Sequence, residues 1–219
     1  KPDSTATGYV ILVSRDGVTF ADSVTATPDN LVLPNLLRDS LYYVKIAAFN
    51  QIGMSAPSEL LAGVPSASQP QALIVNGFDR ASSANTYNFI RQHAPSFVAN
   101  RVPICSATND AIIDSLFSLL NYSVVDYILG DESTLDETFS NAEQAKVKIF
   151  LRNGGRLFVS GSEIAWDLGY KGSAADKDFL SNFLKVKYVA DAPNGSQSST
   201  YQAEGLDGKI FGGFPVIPF

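Results

Sequence analysis

The chain has 219 residues, of which 45% are hydrophobic and 17% are charged, so it can bury a sizeable core and is not expected to be disordered as a whole. Its formal net charge of -6 argues against nucleic acid and anionic membrane surfaces as partners. No apolar run approaches the roughly 20 residues that a membrane-spanning helix needs, and the only cysteine, Cys105, excludes an internal disulfide.

Residues 1–64 carry the signals of an all-β segment. An apolar, β-branched run at residues 9–13 is followed by Asp16-Gly17, a dipeptide typical of hairpin turns. Residues 42–49 alternate with a period of two, which places one face of a strand against a core. Short extended runs separated by turns predict a β-sandwich.

Two stretches of this segment, GYVILVSRDGVTF and LVLPNLLRDSLYYVKIAAFNQIGMSAPS, resemble strands C to G of a fibronectin type III domain. Leu36, six residues before Tyr42, matches the tyrosine corner of that family, in which the phenol bonds back to the turn. Too few residues precede Tyr9 to form strands A and B, and the core tryptophan of the family is missing. The resemblance therefore implies an incomplete sandwich that upstream residues complete. Its role would be that of a spacer or of a module that binds glycan or protein.

Residues 65–71 (PSASQPQ) are small, polar and bounded by proline, which is typical of a linker. From residue 72 the pattern changes to strands alternating with helices. Strands are predicted at residues 72–75, 124–129, 157–159 and 187–189. Helices are predicted from Ser82 or Ser83 to His93 with Pro95 as the stop, from Asn109 or Asp110, over residues 143–152, and from Asp176 or Asp178 to Leu184.

The expected fold class is therefore two domains. An all-β sandwich spans residues 1–64, and an α/β domain with a flavodoxin-like, doubly wound parallel sheet spans residues 72–219. No clear closing element precedes Phe219, so we expect the α/β domain to be truncated at its C-terminal end.

Acidic side chains follow the predicted parallel strands, where ligands collect in this class of sheet. Glu163 follows the turn Ser160-Gly161-Ser162, and Asp131 and Glu132 follow another strand. Clustered carboxylates can act as acid and base or hold a divalent cation. The alternative is that they cap helix N-termini or pair with arginine. The first strand adds three candidate ligand-binding residues to the same edge: Asn76, Asp79 and Arg80.

Ser162 is a candidate nucleophile, but serine is inert without a base. The only histidine, His93, is predicted at the far end of the first helix, roughly 15 Å from this edge. The Gly-x-Ser-x-Gly pattern is also incomplete, because Ile164 replaces the second glycine. Trp166, the only tryptophan, either stacks on a sugar ring beside the acidic residues or fills the core. Cys105 is expected to fill the core.

The segments LIVNGFDR, NDAIIDSLFSLLNYSVVDYILGDESTLDETFS and GGRLFVSGSEIAWDLG resemble the α/β domain of secreted bacterial proteins called xanthan lyase-like, a domain similar to class I glutamine amidotransferases. The resemblance implies a secreted, periplasmic or cell-surface location and a part in polysaccharide or cell-envelope processing. Amidotransferases carry a cysteine at this turn, where Ser162 stands here, and a histidine downstream, which this chain lacks.

Three functions follow as alternatives. The first is a ligand-binding or accessory module, with a carbohydrate ligand and other domains of the same polypeptide as partners. The second is an enzyme that cleaves a glycan or an ester with Glu163 and either Asp131 or Glu132. The third is a structural scaffold with a degenerate amidotransferase fold. No cofactor and no resident metal are expected.

Overall fold

The structure is a computed structural model that describes residues 5–27, 29–30, 32–78, 88–130, 137–190 and 202–218. None of the helices in these ranges is long and apolar enough to cross a membrane.

The N-terminal part forms one antiparallel sheet of four strands. The strands are β1 (Gly8–Ser14), β2 (Asp22–Ala26), β3 (Tyr42–Phe49) and β4 (Leu61–Gly63), in the spatial order β2-β1-β3-β4. The turn between β1 and β2 is built around Asp16, whose carboxylate accepts hydrogen bonds from the N–H groups of Thr19 and Val18 and from the hydroxyl of Ser14. These bonds favour the ionised form and hold the pKa of Asp16 well below its usual range.

The phenol of Tyr42, at the start of β3, accepts a hydrogen bond from the backbone N–H of Leu37 at 2.9 Å. It therefore ties β3 back to the preceding turn, as the sequence predicts. The guanidinium of Arg15 lies over the Tyr42 ring, 4.3 Å from its centre.

The second part is a parallel sheet of four strands with helices. Its strands are β5 (Ala72–Asn76), β6 (Ile104–Thr108), β7 (Val124–Ile128) and β8 (Arg156–Ser160), in the order β6-β5-β7-β8. The α-helices are α1 (Ile90–Ala99), α2 (Asn109–Ile113), α3 (Asn141–Arg152) and α4 (Ala174–Asp178). A 3-10 turn spans Leu119–Asn121, and π-helical segments span Trp166–Lys171 and Phe179–Phe183. Near the C-terminus, β9 (Gln202–Ala203) and β10 (Ile217–Pro218) form a two-stranded antiparallel pair.

The central strand β5 is buried along its whole length, as its continuous apolar run predicts.

The prediction of a separate all-β sandwich is wrong. The antiparallel strands form a single sheet, and one face of it shares a core with the parallel sheet: Tyr43 and Leu60 pack in the same apolar cluster as Ile74 and Ile104. Backbone and side-chain hydrogen bonds cross between the two sheets, from Val64 N–H to the Ile104 carbonyl and between Ala62 and Ser106. The parallel sheet itself fits an α/β fold.

The two faces of β3 are covered by different parts of the molecule, which explains why no separate sandwich forms. A sandwich would be expected to cover one face with a second β-sheet. Here the Tyr43 face packs against the α/β part, while partly buried residues of the other face, such as Val44, pack with Ile11 and Val13. Alternation with period two is the same for either arrangement, so the sequence pattern does not distinguish a β-sandwich from a sheet that packs on an α/β core.

Three other elements differ from the prediction. Strand β6 was not predicted, because its sequence ICSAT has small residues at its centre and little apolar signal. No strand forms over residues 187–189. Helix α1 begins at Ile90 and contains Pro95, so His93 lies in its first turn and not at its far end. Pro95 is the sixth residue of α1, where its missing N–H leaves the Arg91 carbonyl without an intrahelical hydrogen bond.

Candidate functional site

The turn after β8 lies at the carboxyl edge of the parallel sheet. The carbonyl of Ser160 accepts a hydrogen bond from Leu129 N–H at 2.7 Å, and Ser162 N–H donates to the Gly130 carbonyl at 2.8 Å. Gly161 fits between them at a φ of +154°, and a Cβ at this position would lie 2.8 Å from the Leu129 Cβ. The turn is therefore hydrogen-bonded to the end of β7, and Gly161 is required because a side chain would not fit against Leu129.

Glu163 follows this turn in a left-handed backbone conformation, with φ at +62°. Its carbonyl accepts the N–H of Asp167 at 2.8 Å, so Glu163 is also the residue from which the next helical segment starts. A non-glycine residue in this region carries strain of roughly 1–3 kcal/mol, and such residues cluster at binding and catalytic sites. The side chain of Glu163 is half-buried.

Three aromatic rings line the surface that follows Glu163. Trp166 lies one helical turn after the glutamate, its ring centre is 5.8 Å from that of Tyr170, and Tyr170 is 5.7 Å from Tyr188. We call Trp166, Tyr170 and Tyr188 the aromatic row. Tyr170 is 66% exposed, and the other two side chains are half-buried. Gly169 lets Tyr188 approach, since a Cβ there would lie 2.8 Å from the Tyr188 Cβ.

The segment that carries Trp166 and Tyr170 is anchored by a buried carboxylate. Asp167 is 6% exposed and accepts hydrogen bonds from both the backbone N–H and the hydroxyl of Thr138, each at 2.9 Å. Lys171 lies one turn later, 3.6 Å from the same carboxylate and 6.0 Å from the centre of the Trp166 ring. These contacts fix the helical segment, so a supported element presents Trp166 and Tyr170, whereas Tyr188 lies in a stretch without regular secondary structure.

A polar cavity of about 230 Å³ lies beside Asp167 and is also lined by Glu137, Lys171 and Asp176. Asp176 is partly buried, which by itself raises its pKa. Hydrogen bonds from the amide of Gln144 and from the hydroxyl and N–H of Ser173 outweigh that effect, and the pKa of Asp176 is lowered. Among the described residues, no group of three or more His, Cys, Asp or Glu side chains could hold a metal ion.

The structure places the residues predicted for the site in different locations. Glu163 and Trp166 lie together at the carboxyl edge, and Ser162 is exposed beside them. Asn76 is 1% exposed and turns towards the antiparallel sheet, where its amide donates to the Glu59 carboxylate and to the Leu60 carbonyl. Four of the predicted residues lie outside the described residues: Asp79, Arg80, Asp131 and Glu132.

A histidine–aspartate pair lies on the opposite side of the sheet, and the sequence did not predict it. His93 Nδ1 is 2.8 Å from Oδ2 of Asp126, which sits in the middle of β7 and is 2% exposed. One feature of the sequence could have predicted this pair. Asp126 lies inside the apolar run VVDYIL, and a buried carboxylate needs a partner. The prediction that His93 lies at the far end of its helix is wrong, since α1 begins only three residues before it.

Cys105 is partly buried and lies 3.0 Å from the phenol of Tyr122. Burial raises the pKa of its thiol above the ordinary value. A thiol in this state is a poor nucleophile at neutral pH.

No protein-family model matches the chain. No curated protein matches it. Among solved structures, the chain is similar to a Bacillus anthracis protein assigned to the polysaccharide deacetylases, at 11% sequence identity over 85% of this chain and 72% of the other, with a TM-score of 0.25. At this TM-score the similarity supports no inference about fold or function.

Proposed function

We propose that this chain is a carbohydrate-binding module of a secreted bacterial protein that takes part in polysaccharide or cell-envelope processing. The ligand lies at the carboxyl edge of the parallel sheet, across Glu163 and the aromatic row. The secreted location and the polysaccharide context rest on the sequence resemblance. The binding site rests on the observation that a row of three rings adjoins an acidic residue in a strained conformation.

The aromatic row supports a sugar ligand for a physical reason. The faces of tryptophan and tyrosine rings offer apolar area together with a polar edge, which suits a ligand with C–H groups on one face and hydroxyls around it. Ring centres 5.7–5.8 Å apart give adjacent contact surfaces for consecutive sugar units. The half-exposed tryptophan and the exposed Tyr170 leave part of this surface open to solvent.

Glu163 supplies the polar component of the proposed site. A carboxylate accepts hydrogen bonds from sugar hydroxyls, and a pair of such bonds fixes the orientation of a ring that stacking alone would leave free to rotate. Its left-handed backbone holds the side chain at the start of the segment that carries Trp166. Binding through stacking and carboxylate contacts needs no cofactor.

Affinity electrophoresis through gels that contain single acidic or neutral polysaccharides tests this proposal. We expect at least one polysaccharide to retard the wild-type protein. We expect Tyr170→Ala to raise the apparent Kd about fivefold, because one aromatic ring contact contributes on the order of 1 kcal/mol. Ile52→Ala is the matched control, since Ile52 is 96% exposed and lies in the antiparallel part. Equal retardation of wild type and Tyr170→Ala would contradict the proposed site.

The second candidate function is cleavage of a glycan or an ester by Glu163 together with Asp131 or Glu132, and the strained conformation of Glu163 favours it. Incubation with the same polysaccharides, followed by assays for new reducing ends and for the ultraviolet absorbance of unsaturated uronates, separates the two functions. The binding function predicts retardation without products. Products that disappear in Glu163→Gln would favour the enzyme. Neither retardation nor products would favour the scaffold.

A further inference from the structure

A cavity of about 340 Å³ lies where the antiparallel sheet meets the parallel sheet. It is built from the turn before β3, the residue after β4, the end of α1 and the segment that leads into β6. Its lining residues are Asp39, Val64, Val98, Arg101, Val102 and Pro103. Because this segment precedes β6, the cavity lies at the amino edge of the parallel sheet, opposite to the edge that carries Glu163 and the aromatic row.

Backbone hydrogen bonds hold two walls of this cavity in place. The N–H of Asp39 donates to the carbonyl of Pro65 at 2.8 Å, which ties the turn before β3 to the end of β4. The N–H of Val64 donates to the carbonyl of Ile104 at 3.1 Å, which ties the same region to β6. The cavity is therefore formed before any ligand enters, as is usual for small-molecule sites.

Arg101 lies where the end of a helix favours glycine. The N–H of Arg101 donates to the carbonyl of Val98 and that of Val102 to the carbonyl of Phe97, each at 2.9 Å, which is the Schellman pattern. Arg101 has a φ of +58°, in the left-handed region, and Asp39 across the cavity has the same value. Non-glycine residues in this region cluster at binding sites, and two of them line one cavity here.

The cavity combines two opposite charges with an apolar floor. Asp39 and Arg101 are exposed, and within the part of the chain that the structure describes they form no ion pair with each other. The floor contains Val64 and Val102, which are half-buried and pack against the core between the two sheets. A simple anion would be repelled by Asp39 and a simple cation by Arg101, so the cavity favours a molecule that carries both charges.

We propose that this cavity binds a free α-amino acid with an aliphatic side chain, such as leucine. The guanidinium of Arg101 binds the ligand carboxylate, for which its planar fork is suited, and the carboxylate of Asp39 accepts hydrogen bonds from the ligand ammonium group. The aliphatic side chain rests on the valines of the floor. The cavity volume is at the lower end of the roughly 300–1,000 Å³ of small-molecule sites, which fits a single amino acid.

Isothermal titration calorimetry of the full chain at low ionic strength tests this proposal with three probes of similar shape. L-Leucine carries both charges, 4-methylpentanoate lacks the ammonium group, and 3-methylbutylamine lacks the carboxylate. We expect saturable binding of L-leucine, and we expect each analogue to bind at least about tenfold more weakly, because it loses one charge-assisted contact.

Two variants assign each charge of the ligand to its partner. Asp39→Asn keeps a residue type that tolerates the left-handed conformation. It should raise the Kd of L-leucine about tenfold without weakening 4-methylpentanoate. Arg101→Gly should raise the Kd of L-leucine at least about tenfold without weakening 3-methylbutylamine. Because glycine suits this position, the same variant should raise Tm by about 2–4 °C, so a folding defect cannot explain the lost binding.

Arg156→Gln is the matched control, because Arg156 is also an exposed arginine but lies on β8, at the other side of the parallel sheet. It should bind L-leucine with a Kd within about twofold of wild type. The proposal would be overturned by the absence of saturable heat up to about 10 mM L-leucine, or by equal affinity for the three probes. Unchanged binding of L-leucine by Asp39→Asn or Arg101→Gly would overturn it as well.

Discussion

At the scale of single residues, Glu163 is the most informative position because its backbone conformation is unfavourable for its residue type. An L-residue in the left-handed region pays on the order of 1–2 kcal/mol, and glycine does not. We expect Glu163→Gly to raise the free energy of unfolding by about 1 kcal/mol in urea titrations while it weakens carbohydrate retardation. A loss of stability in Glu163→Gly would show that side-chain contacts, and not strain, define this position.

The sequence predicts the position of a residue in the fold where that residue follows a strong strand signal. Leu157-Phe158-Val159 predicts a strand, and the structure has that strand, with Glu163 and Trp166 after its end. Their assignment to a ligand site stays a prediction, based on the rule that strand ends in parallel sheets collect ligands. Asn76 was assigned to the same edge by the same rule, but its amide is used to join the two sheets. The direction of one side chain at a strand end depends on tertiary neighbours, and a period-two pattern carries no information about them.

At the scale of elements, α4 depends on a capping box. The Ser173 hydroxyl accepts the Asp176 N–H, and the Asp176 carboxylate accepts the Ser173 N–H at 2.7 Å and the Gln144 amide at 2.7 Å. We expect Asp176→Ala to lower the free energy of unfolding by about 1 kcal/mol at pH 7.

The effect of Asp176 on stability should depend on pH with a definite sign. Its pKa is lowered in the folded protein, so the folded state binds its proton more weakly than the unfolded state does. Its contribution is therefore complete above the unfolded value of 3.8 and is lost as pH falls through the lowered folded pKa. Urea titrations at pH 7 and near pH 2.5 should show a smaller difference between wild type and Asp176→Ala at the acidic pH. An unchanged difference would mean that the charge of Asp176 contributes nothing.

At the scale of the whole molecule, the two sheets are joined through β4 and β6. Ser106 accepts the Ala62 N–H at 2.7 Å and donates to the Ala62 carbonyl at 2.7 Å. Ser106→Ala leaves both backbone groups without these partners, which costs about 1–3 kcal/mol. We expect a single thermal transition in wild type, and a lower Tm for the entire transition in Ser106→Ala. Two separate transitions in wild type would support independent domains.

The overall architecture was predictable only in part, for a reason that the joint between the sheets makes clear. Continuous apolar runs such as Ala72–Asn76 predict buried parallel strands, and the structure has them. The packing of the antiparallel sheet on the α/β part depends on Tyr43 and Leu60 meeting Ile74 and Ile104, residues far apart in the chain. The linker composition of residues 65–71 indicates a domain boundary but does not report whether the segments on its two sides share a core.

The most direct test of the proposed carbohydrate site uses the emission of Trp166, since it is the only tryptophan in the chain. Titration of the wild-type protein with the polysaccharide that retards it should give a saturable change in intensity or wavelength, because a ligand that stacks on the aromatic row changes the surroundings of this indole. Retardation of the protein with unchanged Trp166 emission at saturation would place the ligand elsewhere on the molecule and contradict the account.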